Sequence, residues 1–260
     1  MGDGLRAPAQ TEPAATSVVA VCGLAFEAAI AAGPDVVTLC GPGSGSLATR
    51  LEALLAQHGR ACRGIISFGT AGGLDPALQP GACVLAERVV TPDKDFPVDR
   101  GWLDALRACL PEARTGTLAG VDHPVADIAA KARLWRSSGA CAVDMESHRA
   151  ALLAQRHGLP FVACRVIVDH ADRQVPSAAL AGMNADGTVA LSRLLGELAL
   201  HPGQLAGCIR LAFDAAAARR QLRAVRLATG AAFALPVPVH RATAAYRSSG
   251  RRPASPGSSS

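Results

Sequence analysis

The chain has 260 residues, 50% hydrophobic and 18% charged, enough apolar material for a large α/β domain with its own core. Its net charge of +5 is nearly all arginine, since lysine occurs only at Lys94 and Lys131. It has no run of eighteen apolar residues to span a membrane, no basic and apolar leader of the secretory kind, and eight scattered cysteines with no Cys-x-x-Cys, which argues against a disulfide frame or zinc site and for free thiols in a reducing compartment. The chain is therefore expected to be cytoplasmic. Many arginines follow residue 200, but with a single tyrosine in the chain no aromatic platform for nucleic acid is expected. That basic third reads as a solvated helix face and tail, with a peripheral membrane contact left open.

Residues 1–16 are polar and Pro/Ala-rich, a flexible leader. A single domain is expected over 17–228, and a disordered tail over 229–260. SVVAVC (17–22) is apolar throughout and predicts a buried strand. GLAFE (23–27) then turns into a short helix that Gly33-Pro34 ends. DVVTLC (35–40) is the second strand and runs into Gly41-Pro42-Gly43-Ser44-Gly45-Ser46, with a helix over 47–58. Glycines allow close approach of a ligand, and a helix N-terminus favours an anion. A dinucleotide site would want an acid at the end of the next strand. That strand, RGIISF (63–68), ends instead in Gly69-Thr70-Ala71-Gly72-Gly73-Leu74, read as a second glycine-rich turn. Gly41, Gly43 and Thr70 are thus candidates for an anion or phosphate. Strand 81–91, loop 92–97, helix 101–110 and strand 115–121 follow. Residues 126–138 predict a helix with Lys131, Arg133 and Arg136 outward. After strand 140–143 and helix 147–157, LPFVACRVIV (159–168) is the most β-like run. A helix from Pro176 to about 200, weakened at Gly182 and 186–187, precedes a break at 201–203. The last helix, 204–227, carries the stripe Leu205, Cys208, Ile209, Ala212 and Phe213, read as core or subunit packing.

Two acids stand out in this frame. Glu146 sits where a strand hands over to a helix, and Asp169 ends the next strand. Ligands bind beyond the carboxyl ends of strands in α/β sheets, so the two can face one pocket. The plainer reading is a helix cap and a turn residue.

The blocks DMES (144–147) and RVIVDHAD (165–172) resemble the signature of the nucleoside phosphorylase and nucleosidase superfamily: acid-Met-Glu-small, then Arg-x-(Ile/Val)-(Ser/Thr)-Asp. The match extends to its methylthioadenosine/S-adenosylhomocysteine nucleosidase branch. With GLAFEA (23–28), ISFGTAGGL (66–74) and VDMESH (143–148), the chain is most similar to the hopanoid-associated phosphorylases, over about residues 17–226. The resemblance implies a three-layer αβα fold with a central mixed, twisted sheet, a homo-oligomer, and no metal or organic cofactor. It implies cleavage of an adenine nucleoside with an apolar 5′ group, adenosylhopane, by phosphate or water. The alternatives are a methylthioadenosine/S-adenosylhomocysteine nucleosidase and a non-catalytic adenosine-binding protein. By resemblance Asp169 protonates the leaving purine, Glu146 holds the ribose hydroxyls, Met145 packs on the sugar, and Thr70, Ala71 and Gly72 line the ribose side; Arg165, one strand turn back from Asp169 on the same face, is expected from its spacing to pair with Glu146. Glu27 stands near the water-activating acid of the nucleosidases. An ungapped alignment places that role on Ala28, so Glu27 is either the activator or a surface helix residue. Likewise His123 is either a ring for the purine or a solvated loop histidine. Other departures are Ser67 where phosphate-binding relatives carry arginine, an absent Gly-Asp-x-x-Arg element, Val168 in place of a hydroxyl residue, and no hairpin between the first helix and second strand. That last loss is expected to open the 5′ side of the pocket.

Overall fold

A strand as apolar as Ser17–Cys22 has no face to offer water and must be covered on both sides. In the computed structural model, which describes residues 17–41, 44–58, 61–182, 184, 188 and 190–236, this strand, β1, is buried from Val18 to Cys22. It lies between two parallel neighbours, β2 (Val36–Cys40) and β3 (Cys62–Gly73). β8 (Phe161–Asp169) runs parallel to β3 on its other side, and β4 (Cys83–Val90) runs antiparallel to β8. β4 pairs in parallel with β6 (Arg114–Gly120), and β6 with the short β7 (Ala142–Asp144). β7 then returns antiparallel to the far end of β3, through Gly72–Val143 and Gly73–Ala142. Strands β3, β8, β4, β6 and β7 thus close into a ring within an eight-stranded mixed sheet. β5 (Asp95–Pro97) hangs on the edge of β4.

Helices α1 (Ala25–Ala31), α2 (Ser44–His58), α3 (Arg100–Cys109), α4 (Ile128–Ser138) and α5 (Ser147–His157) connect the strands. Their ends follow local chemistry. Asp99 caps α3 by accepting from Trp102 N (2.8 Å), and Asp127 caps α4 through Ala130 N (2.9 Å). Gly139 and Gly158 end α4 and α5 with φ of 64° and 63°, the left-handed turn that glycine adopts without strain. The core lies between sheet and helices and is built from Val, Ile, Leu and Phe of β1, β3, β4 and β8. No described helix is long and apolar enough to cross a membrane. The eight cysteines are all free thiols.

Several segments differ from their sequence reading. Residues 69–73 are not a turn: β3 continues through them because β8 and β7 give their backbone groups partners. Within the expected loop 92–97, Asp95–Pro97 forms a strand, with Phe96 buried on the edge of β4. The helix expected from 176 to 200 is two pieces, α6 (Ser177–Ala181) and α7 (Leu191–Leu200). A 3₁₀ turn at Pro202–Gln204 leads into α8 (Leu205–Ala228). In α8 the buried face is Ala218, Leu222 and Val225, whereas the expected stripe is exposed at Leu205, Ile209 and Phe213. The chain is also packed beyond 228. Phe233 is fully buried, its ring 5.0 Å from that of Phe68, and its carbonyl accepts from Trp102 Nε1 at 2.8 Å. The packed unit therefore includes residues 229–236, which the expected tail boundary had cut off. The leader 1–16, residues 237–260 and Gly43 lie outside the described residues.

Candidate active site

Two glycines of β3, Gly69 and Gly72, admit acids. A Cβ on Gly69 would collide with the Glu27 carboxylate and stand 2.9 Å from Arg165 Nη1. A Cβ on Gly72 would stand 3.3 Å from Asp169 Oδ1, and one on Gly23 would stand 2.9 Å from Glu146 Oε1. Acids from α1 and β8 therefore lie against glycines of β3, and Glu146, between β7 and α5, lies against the glycine that follows β1.

Glu27 is 1% exposed, which removes the surface reading. Its Oε2 accepts from the backbone N–H groups of Gly23 (2.9 Å) and Leu24 (3.0 Å). Its Oε1 accepts from Thr70 N (2.8 Å) and Thr70 Oγ1 (2.6 Å). Ala28, the ungapped match, packs against the core and carries no acid. Arg165 is fully buried and ion-pairs with Asp144 (2.5 Å) and Glu146 (3.2 Å). Its guanidinium also donates to Ser67 Oγ (2.5 Å) and Thr70 O (3.3 Å). Ser147 Oγ bridges Ser67 Oγ (2.9 Å) to Asp144. One arginine thus faces three carboxylates. Burial pushes the Glu146 carboxyl up to about 8, with Asp144 and Glu27 adding to the rise and Arg165 opposing it. Ala71 is buried beside this cluster and Met145 is half-buried.

Asp169 lies against Gly72, three β3 residues on from the Gly69 that pairs with Arg165, and has its own cation. The register of β3 against β8 shifts between Ala71 and Gly72, so that Asp169 stands opposite Gly72 and Val168 has no partner there. Lys131, expected to point outward from α4, is instead fully buried, with Nζ on Asp169 Oδ2, His170 O (3.0 Å) and Arg173 O (2.9 Å). Arg133 and Arg136 are exposed as expected. A buried carboxylate without a hydroxyl neighbour needs a counter-ion, which is why the lysine turns inward. Burial raises the Asp169 carboxyl above its ordinary range, against the pull of Lys131. A cavity of about 210 Å³ opens between Asp169, the segment 172–176 and α8.

The other candidates are placed as follows. Thr70 is committed to Glu27. Gly41 is held by its N–H to Cys22 O (3.2 Å), at the same end of the sheet. His123 is exposed; the buried ring of that region is His148, whose Nε2 lies 3.1 Å from Asp122 Oδ1. Sequence reasoning passed over Lys131, Asp144, Ser147 and the use made of Ser67. One signal was available for Lys131: it is one of only two lysines in an arginine-rich chain.

Comparison with known proteins agrees with this architecture. The chain is 27% identical over 206 residues to the 5′-methylthioadenosine/S-adenosylhomocysteine nucleosidase of Mycobacterium bovis, covering 63% of this chain and 76% of that one. The fold matches the Helicobacter pylori nucleosidase of the same name, solved with butyl-thio-DADMe-Immucillin-A, with a TM-score of 0.58 at 14% identity over 82% of this chain and 98% of that one. It also matches the futalosine hydrolase of Helicobacter pylori, with a TM-score of 0.57 at 15% identity over 81% and 97% of the two chains. The family model described as the phosphorylase superfamily matches residues 1–197. With a mixed sheet whose glycine-rich strand receives acids from α1 and β8, the chain belongs to that superfamily and is an enzyme of its nucleoside phosphorylase and nucleosidase type.

Proposed function

We propose that this enzyme cleaves the N-glycosidic bond of an adenine nucleoside bearing a bulky apolar 5′ group. The observation that carries this is the pair of buried carboxyls at strand ends, Glu146 against Gly23 and paired with Arg165, and Asp169 against Gly72 of β3. As the C1′–N9 bond breaks, the sugar gains positive charge and the purine gains negative charge. Asp169, in its protonated form, gives a proton to purine N7, so the base leaves neutral. Glu146 accepts from the ribose hydroxyls, and the negative excess around Arg165 offsets the charge growing on the sugar. Thr70 and Glu27 lie on the ribose side, where Glu27 takes the proton of an attacking water once the Thr70 hydroxyl turns away. Hydrolysis is favoured over phosphorolysis because Ser67 replaces an arginine and Arg165 already holds two carboxylates.

The 5′ group is the finer part of the reading. Only residues 32–35 connect α1 to β2, and no hairpin covers that edge. Adenosylhopane, the substrate that the hopanoid-associated resemblance implies, suits such an opening. Exposed Leu205, Ile209 and Phe213 on α8 supply apolar surface for the expected second subunit or for a peripheral lipid contact. The relative from Mycobacterium bovis favours a second reading, with a small methylthio group at the 5′ position.

The test is adenine release by the purified protein, with and without added phosphate, from nucleosides with small and large apolar 5′ groups. Release without phosphate and preference for the large group are expected. Asp169→Asn should lower the rate by about 10²–10⁴-fold while ligand binding persists. An unchanged rate in that variant refutes the assignment, and absence of release from any nucleoside refutes the enzyme reading in favour of a binding protein.

A further inference from the structure

Lys131 has an environment that a surface helix does not explain. It is one of two lysines in the chain, it is fully buried, and each of its three ammonium protons has an acceptor: Asp169 Oδ2, His170 O and Arg173 O. Burying an ammonium is costly unless it is paired and fully hydrogen-bonded, and this site meets both conditions. The two carbonyls belong to the loop that follows β8, so the ammonium ties α4 to that loop and to the strand-end acid at once. Val168 offers Asp169 no hydroxyl to orient it. The lysine grips Oδ2 only. Oδ1 is left on the Gly72 side, 3.3 Å from where a Cβ would stand, and the carboxyl borders the cavity of about 210 Å³.

We propose that Lys131 is the positioning residue of the leaving-group acid, holding the Asp169 carboxyl by one oxygen so that the other meets the purine. The proposal rests on Asp169 being that acid. It adds a residue that acts through Asp169 without touching the substrate. The charge of Lys131 has a second effect. Burial raises the pKa of Asp169, and the ammonium pulls against that rise. The other charged groups facing Asp169 are His170, Asp172 and Arg173 on the loop after β8, and Arg210 and Asp214 on α8. Arg173 is itself paired with Asp214 at 2.5 Å, which leaves Lys131 as the cation bonded directly to the carboxyl. β3, packed on the opposite side, brings no charge there.

The experiment is a pH–rate profile of adenine release for the wild type, Lys131→Met and Lys131→Arg, with Asp169→Asn as control. An acid catalyst works protonated, so the rate falls as pH rises through its pKa. Removing the cation raises that pKa, and the falling limb of Lys131→Met should move up by about 1 pH unit while kcat drops about tenfold or more and KM changes little. Lys131→Arg keeps the charge and should hold the limb near its wild-type position. A merely structural lysine would lower the yield of folded protein and leave both limbs in place. A silent Lys131→Met profile beside an inactive Asp169→Asn overturns this proposal alone, whereas an active Asp169→Asn overturns the reading beneath it. Should Lys131→Met not fold, reductive methylation of the wild type decides. Exposed Lys94 should react with activity retained, and Lys131 should resist until the protein is unfolded. Ready methylation of Lys131 without loss of activity refutes the proposal.

Discussion

Replacing Glu146 by glutamine should make the protein more stable in alkali and less able to bind its sugar. The carboxyl is buried with Asp144 and Glu27 close by, and its pKa rises from the ordinary 4.5 to about 8. Between those values the folded protein holds a proton that the unfolded chain has released, so this group makes stability fall as pH rises across that window and stay low above it. At about 1.4 kcal/mol for each pH unit, the penalty above pH 8 is at most about 5 kcal/mol. Arg165 opposes the rise with a contact at 3.2 Å, and that relief is already contained in the shifted value. Glutamine keeps the shape and an acceptor for Arg165, and Asp144 at 2.5 Å keeps the arginine paired. Thermal unfolding followed by calorimetry at pH 6 and pH 9 should show a Tm for Glu146→Gln at least about 5 °C above the wild type at pH 9, with the gap shrinking at pH 6. The same variant should lose about 10–100-fold in kcat/KM at pH 9, where the wild-type carboxyl is ionised and makes charged hydrogen bonds to the ribose hydroxyls, and much less at pH 6. A variant less stable than wild type at pH 9, or one with the same pH slope, would show that Glu146 is held ionised by Arg165 and that the burial argument is wrong.

Gly69→Ala puts a methyl against Glu27 and Arg165 Nη1; a loss of about 1–3 kcal/mol in urea unfolding is expected, with adenine release lost as well, and a neutral substitution would mean that the acids are not packed on β3. Phe233→Ala opens a hole beside Phe68 and Trp102 and should cost about 3–5 kcal/mol, read from the fluorescence of buried Trp102; a loss below about 1 kcal/mol would return residues 229–236 to the status of a dispensable tail.

The parts of this molecule that the sequence discloses are those set by local pattern. β1 is a continuous apolar run and had to be a covered strand. α5 ends where Gly158 says it should, and Glu146 stands at the strand-to-helix junction where its spacing placed it. What escaped reading depends on contacts distant in sequence. β7 has three residues, too few to announce the closing strand of a ring. The glycines at 69–73 carry the composition of a turn, and only the acids arriving from α1 and β8 show that they are spaces in a strand. Lys131 shares its helix with exposed Arg133 and Arg136, and periodicity cannot distinguish a charge in water from one reaching a buried carboxylate. Glu27, one place early in an ungapped alignment, is brought inside by its bonds to Thr70.

The ring has a consequence for how the chain reaches this state. β3 forms its bonds to β8 by pairing Ile65 with Phe161, a separation of about 100 residues that makes loop closure expensive. A chain still growing from its N-terminus carries residues 62–73 long before β7 and β8 exist, with β1 on one side and the other apolar edge open to neighbours. The proposed leaving-group acid, Asp169, is the last residue of that late strand. Assembly of the candidate site and sealing of the sheet are therefore the same event, and any block to the final strand pairing should yield aggregated protein in place of an inactive monomer.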